Sequence, residues 1–279
     1  MKKLVVVLAI LLNFGLSLSA QYSEEYIEKV DSADYYIKQK NWVDAERLLK
    51  EAMRIEPGNI NNSLLFSNLG IVLHNQNKLD QAIESFTVGL AMTPNSFVLY
   101  KNRAAAYIDA GMINEAYEDL TSAYHIEPKD LWVRNYHGLI AIEKGELQAA
   151  RNDFMYILDT DVKSVEGLRG MAILTEAEGS LSEAIDYYTQ ILDIEQTAEN
   201  YFARAFLHIR RDDFLLADED IREGLKIDQY YGDLYLLRAY LNKIRYRYED
   251  AQIDKNLAIK YDADVQLVQI LFPEEEYRK

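Results

Sequence analysis

Residues 97–128 read FVLYKNRAAAYIDAGMINEAYEDLTSAYHIEP. Ala104 and Ala116 are small, twelve residues apart; Ile113 and Leu120 flank Ala116 at three before and four after, and Ala123 follows at seven. Apolar or small residues at such offsets lie on one face of a helix. Gly111, between the two runs, suits a left-handed helix C-cap, and Pro128 closes the stretch. The stretch therefore predicts a helix, a tight turn and a second helix. The small residues let the paired backbones approach closely.

The same unit recurs along most of the chain. Its alanine returns as Ala45, Ala82, Ala116, Ala150, Ala184, Ala217 and Ala251, at spacings of 37, 34, 34, 34, 33 and 34. Twelve residues before each stands Ala33, Gly70, Ala104, Gly138, Ala172, Ala205 or Ala239. Three before stands Trp42, Leu79, Ile113, Leu147, Leu181, Phe214 or Tyr248. The turn position holds Lys40, Asn77, Gly111, Gly145, Gly179, Asp212 and Tyr246. The intervening apolar residue after each alanine persists to Ile221 and gives way to Lys255 in the last copy. One such unit cannot bury its apolar stripe alone, so neighbours must stack into a solenoid.

This pattern resembles the tetratricopeptide repeat family, with EAYEDLTSAYHIEP (115–128) and EAIDYYTQILDIE (183–195) similar to its second helix and Tyr36 and Tyr107 at its aromatic position. The resemblance implies an all-α fold, a right-handed α-solenoid of stacked helix-turn-helix repeats. Seven repeats are expected, at about 26–59, 63–96, 97–130, 131–164, 165–197, 198–231 and 232–265. Proline closes the first three, at Pro57, Pro94 and Pro128; Val162, Gln196, Gln229 and Ala263 replace it later. Extra residues around 58–62 predict a bulging loop between repeats one and two. Val265 to Leu271 (VQLVQIL) predicts a short capping helix, followed by a charged tail within 266–279.

Residues 1–20 stand apart. Met1-Lys2-Lys3 is positive, Leu4 to Leu12 is apolar, and the exit to Ala20 is small and polar. This is the layout of a signal peptide, cut near Ala20, and implies an exported protein, periplasmic or at the cell surface of a bacterium. An uncleaved signal anchor is the competing expectation. No other run approaches membrane length, so no integral span is expected after cleavage.

Composition narrows the function. The 279 residues carry 30 Lys+Arg against 46 Asp+Glu, a net charge of −16, which argues against a nucleic-acid partner. No cysteine is present, excluding disulfides, thiolate metal sites and a cysteine nucleophile. The four histidines, His74, His125, His137 and His208, form no metal-ligand pair. His137 and His208 fall at packing positions. No nucleotide-binding or nucleophile-elbow motif appears, so neither cofactor, metal nor catalysis is expected. Acidic pairs such as Glu118-Asp119 and Glu219-Asp220 read as a solvated face of the second helices.

The resemblance further implies that the first helices line a concave groove. Its positions in repeats two to four supply Asn68, His74, Asn75, Lys101, Asn102, Trp132, Asn135 and Tyr136. Asn side chains can bond a peptide backbone, Lys101 can pair with a carboxylate, and Trp132 offers a broad face. The family's specialised Lys-and-Asn clamp for chaperone tails is not matched, since Val30 and Asp34, or Ser67 and Ile71 one repeat on, occupy its first places. The expected role is a non-catalytic scaffold or adaptor binding a protein or peptide in that groove. The alternative is an accessory subunit of an envelope complex, docked through its convex or C-terminal surface, where Arg238, Lys243, Arg245 and Arg247 stand out.

Overall fold

A computed structural model describes residues 23–273; the predicted signal peptide and the tail from 274 lie outside the described residues. Every regular element among those residues is a helix. The first helices of the repeats are α1 (Glu24–Lys38), α3 (Asn62–Asn75), α5 (Phe97–Asp109), α7 (Leu131–Glu143), α9 (Val165–Ala177), α11 (Ala198–Arg210) and α13 (Gly232–Ile244). The second helices are α2 (Trp42–Ile55), α4 (Leu79–Met92), α6 (Ile113–Ile126), α8 (Leu147–Thr160), α10 (Leu181–Ile194), α12 (Phe214–Ile227) and α14 (Tyr248–Lys260), with α15 (Val265–Leu271) at the end. The second helices thus begin at the seven large apolar residues found three before the repeated alanines. No helix among the described residues is long and apolar enough to cross a membrane.

The turn is set by backbone chemistry. All seven turn residues, from Lys40 to Tyr246, hold φ between 57° and 85°. Each such residue lets the next amide reach back five residues, as Asn41 N does to Tyr36 O (2.9 Å) and Met112 N to Tyr107 O (2.8 Å). These bonds satisfy carbonyls that the helix end would otherwise orphan. Glycine adopts this conformation freely; Lys40 and Tyr246 adopt it against steric preference. First helices start on side-chain caps: Ser96, Asp130, Ser164 and Thr197 each accept from the amide three residues on. Ser164 and Thr197 do this without the preceding proline, so the repeat survives its loss.

The repeated alanines are buried, as are the small residues opposite them. At Gly70 the contact is close enough that an added Cβ would lie 2.4 Å from the Phe86 ring. The chain divides into two compact units, one reaching Ala141 and the other starting at Ile142. In the first, Leu49, Ile71, Val72, Phe86 and Leu99 form a core, with a second around Leu120 and Val133. In the second, Leu168, Tyr188, Ile191 and Leu207 form one cluster, and Ile221, Leu234, Leu237 and Leu241 another. There α15 and Phe272 lie on Leu236, Ala239 and Ala258.

The loop at 58–62 is a hydrogen-bonded knot rather than a loose bulge. Asn62 Nδ2 donates to Glu56 O (2.7 Å) and Asn59 Nδ2 to the Glu56 carboxylate (2.9 Å). Tyr26 Oη donates to Asn62 Oδ1 (3.1 Å), and Ser23 N donates to Glu56 Oε1 (2.7 Å). The extra residues therefore tie the start of α1 to the start of α3.

One expectation is corrected. Asp119 and Asp220 are buried, not solvated. Arg103 grips Asp119 with two nitrogens (2.7 and 2.8 Å), Arg204 grips Asp220 (2.9 and 2.6 Å), and Arg238 grips Asp254 (2.9 and 2.6 Å). All three pairs join the first and second helix of one repeat at a separation of sixteen residues. The bidentate geometry offsets the desolvation that burying a carboxylate costs.

Candidate functional site

The eight residues predicted to line the groove all lie on α3, α5 and α7, within the first compact unit. Lys101 and Trp132 sit one repeat apart, and the turn into α7 brings them together. Lys101 Nζ donates to Asp130 Oδ2 (2.7 Å) and lies 5.3 Å from the Trp132 ring centroid and 5.6 Å from that of Phe97. The other oxygen of Asp130 accepts from Val133 N (2.9 Å) and so caps α7. Trp132 and Tyr136, one helical turn apart, stack with ring centroids 4.5 Å apart, tilted by 39°. Together these groups build a cation between two aromatic faces, fixed by a carboxylate that also starts the next helix.

This placement redefines Lys101. It is 9 % exposed and already paired, so it braces the aromatic platform instead of offering a free charge. His74 is likewise committed: its Nε2 lies 2.7 Å from Asp109 Oδ2 on the neighbouring first helix. Burial pushes the Tyr136 phenol above its ordinary pKa, and the Asp109 charge adds to the effect. Asn75 turns back onto its own helix, Nδ2 donating to Ile71 O (2.8 Å). Asn135 is half-buried beside Tyr136 in sequence, and Asn68 is buried on α3.

Asn102 differs from all of these. It is 3 % exposed, and its Nδ2 has no hydrogen-bond partner. A buried amide donor left unpaired costs on the order of 1–3 kcal/mol. Ser67 Oγ on α3 is a second buried polar atom without a partner.

Sequence reasoning missed Phe97, Asp109 and Asp130. Asp130 carried a readable signal: it stands just before an apolar helix start and two residues after Pro128, the place of an N-cap. Nothing local announces Asp109. The histidines at packing positions behave as expected. His137 lies between Tyr117 and Tyr124, nearly parallel to both, with centroids 4.8 and 5.4 Å away. His208 is buried, which pushes its pKa below the ordinary value, and carboxylates of Asp213 and Asp220 lie 3.7 and 3.8 Å from it. Of the four basic groups in the last repeat, Arg238 is held by Asp254 and Arg245 by Asp218 (2.6 Å).

No family model matches the chain. Tetratricopeptide repeat protein 6 from Homo sapiens is 24 % identical over 198 residues, covering 70 % of this chain and 38 % of the human protein. DnaJ homolog subfamily C member 7, also from Homo sapiens, is 30 % identical over 140 residues, 50 % of this chain and 28 % of that one. The chain thus spans well under half the length of these curated relatives. Among solved structures, a tetratricopeptide repeat protein from Parabacteroides merdae superposes with a TM-score of 0.75 at 27 % identity, covering 89 % of this chain and 98 % of that chain. A seven-fold pattern of small residues, a left-handed turn in each helix pair and these likenesses give the chain the stacked helix-turn-helix fold of tetratricopeptide repeat proteins.

Proposed function

We propose that this protein is an exported, non-catalytic adaptor that holds an extended segment of a partner protein in the concave groove formed by α3, α5 and α7. The unpaired Asn102 amide carries the reading: it is a buried donor in want of an acceptor, and a peptide carbonyl supplies one. Asn68 stands at the equivalent position one repeat earlier, and Trp132 with Tyr136 supplies apolar area one repeat later. Such rigid aromatic anchors carry most of the energy in protein interfaces. Export is read from the composition of residues 1–20.

The test begins with crosslinked capture from envelope extract, which identifies a partner by mass spectrometry. Binding of that partner is then measured for three variants. Trp132→Ala weakens it by at least about 2 kcal/mol. Asn102→Leu abolishes the backbone contact but leaves the fold at least as stable, because it removes an unsatisfied buried amide. Glu118→Ala, exposed on α6, changes nothing. Equal binding by the parent, Trp132→Ala and Asn102→Leu overturns the groove reading.

A further inference from the structure

A cavity of about 440 Å³ lies where the first turns of α3 and α5 meet the connection from α4. Leu64, Val98, Leu99 and Pro94 give it apolar walls, and Ser67, among other small polar residues, lines it as well. None of the lining residues is charged, in a chain of which 27 % is charged. An ionic group placed there would lose its hydration with no counter-charge to replace it.

Two of the polar side chains are already used. Thr93 Oγ1 donates to Gly89 O (2.9 Å), and Ser96 Oγ accepts from Leu99 N (3.4 Å). Ser67 Oγ is buried without a partner: the residue is 3 % exposed and its hydroxyl makes no hydrogen bond. Apolar walls, an open mouth and one unsatisfied hydroxyl together describe a receptor for an apolar group carried next to a hydrogen-bond acceptor. An aliphatic or aromatic side chain beside its own backbone carbonyl has that make-up.

The cavity is continuous in register with the groove. Leu64 and Val98 hold, in repeats two and three, the position that Trp132 holds in repeat four; Ser67 holds the position of Lys101. We propose that it is a specificity subsite of the groove, taking one neutral aliphatic or aromatic side chain of the bound segment while Ser67 Oγ donates to the adjoining carbonyl. This rests on the groove reading and adds the partner chemistry: an uncharged apolar residue at one fixed place in the bound segment.

Val98→Trp supplies the test, because Trp132 shows that the position accepts an indole in this fold. The probe is a positional-scanning library of acetylated, amidated hexapeptides, read by fluorescence anisotropy against the full chain. In the parent, one library position favours Leu, Ile, Phe and Tyr over Asp, Glu, Lys and Arg by about tenfold, the scale set by desolvating a charge against burying an apolar side chain. Val98→Trp erases that preference and leaves those at other positions. Ser67→Ala keeps the preference and lowers affinity about fivefold, as expected for one neutral hydrogen bond.

A preference that survives Val98→Trp overturns the subsite, as does a library with no binder or with no position that rejects charge. Trp132→Ala separates the two readings. If it and Asn102→Leu both leave peptide binding intact while Val98→Trp still erases the preference, the groove reading fails and the subsite stands. Phenol titrated into the unaltered chain gives a measurement that does not depend on a variant folding. Saturable shifts confined to the methyl resonances of Leu64, Val98 and Leu99 are expected, and their absence overturns the proposal.

Discussion

Replacing Gly70 by alanine places a methyl group where the ring of Phe86 already sits. The new Cβ would lie 2.4, 2.6 and 2.7 Å from three ring carbons, whereas unstrained carbon pairs sit about 3.5–4.0 Å apart. The ring must therefore retreat by roughly 1 Å inside a close-packed core, which costs about 1–3 kcal/mol. Alanine returns up to about 1 kcal/mol of helix propensity, so the net loss is about 0–2 kcal/mol. Repeat three shows the compensated combination: Ala104 faces the same role with Leu120 in place of phenylalanine, and both are fully buried. Phe86→Leu alone opens space and costs about 1–2 kcal/mol. In the double variant the methyl no longer collides, so its stability exceeds the sum of the single effects by at least about 1 kcal/mol. Urea unfolding measures this, with hydrogen exchange at α3 and α4 as a local probe, because repeat arrays need not unfold in one step. Strict additivity, or a Gly70→Ala variant more stable than the parent by the full helix term, refutes the packing argument.

Arg103→Met leaves Asp119 buried without its partner and costs about 3–5 kcal/mol at neutral pH. Without the arginine, burial alone governs the Asp119 carboxyl and raises its pKa further, so the variant is relatively better off in acid and worse as pH rises; adding Asp119→Leu removes both the cost and the pH dependence in urea melts. Burial works against ionised Glu46, but hydrogen bonds from Lys50, Lys78 and Gln76 outweigh it and hold its pKa at about 2. Its contribution is thus complete above the unfolded value of 4.5 and disappears as pH falls from there toward 2; Glu46→Gln flattens the loss of stability across that window, which acid titration by circular dichroism reads directly. Tyr246→Gly relieves a left-handed residue at φ 62° and stabilises the α13–α14 pair by about 1 kcal/mol, visible as a higher urea midpoint and refuted by a lower one.

The architecture was legible because one physical requirement repeats. Seven buried alanines and seven facing small residues report the same close helix approach, and a chance match at one repeat does not recur at 34-residue spacing. The turn shows how spacing outperforms residue type: Lys40 and Tyr246 would not be chosen as left-handed residues in isolation, yet they hold the conformation Gly111 holds. Two of the buried Arg–Asp pairs were overlooked because the acid neighbours another that is exposed, as Glu118 neighbours Asp119 and Glu219 neighbours Asp220. Their signal was periodic too: an arginine thirteen residues before the alanine and an aspartate three after it, in repeats three, six and seven. The candidate site was less legible. Asn102 and Trp132 follow from register alone, but the commitment of Lys101 depends on Asp130, which belongs to the connection between repeats. A contact made through a connecting loop has no helical period to betray it.

The bonds that join one repeat to the next span about one repeat: Tyr26 reaches Asn62 at 36 residues, His74 reaches Asp109 at 35, and Lys101 reaches Asp130 at 29. Little chain entropy is spent closing such short loops, and topology of this kind folds fast. Any helix pair can act as the nucleus, and each further pair docks on a neighbour already formed. Pulled from its two ends, the same molecule would surrender its repeats one after another in a sawtooth of small steps, because each of these bonds closes a loop of only about one repeat.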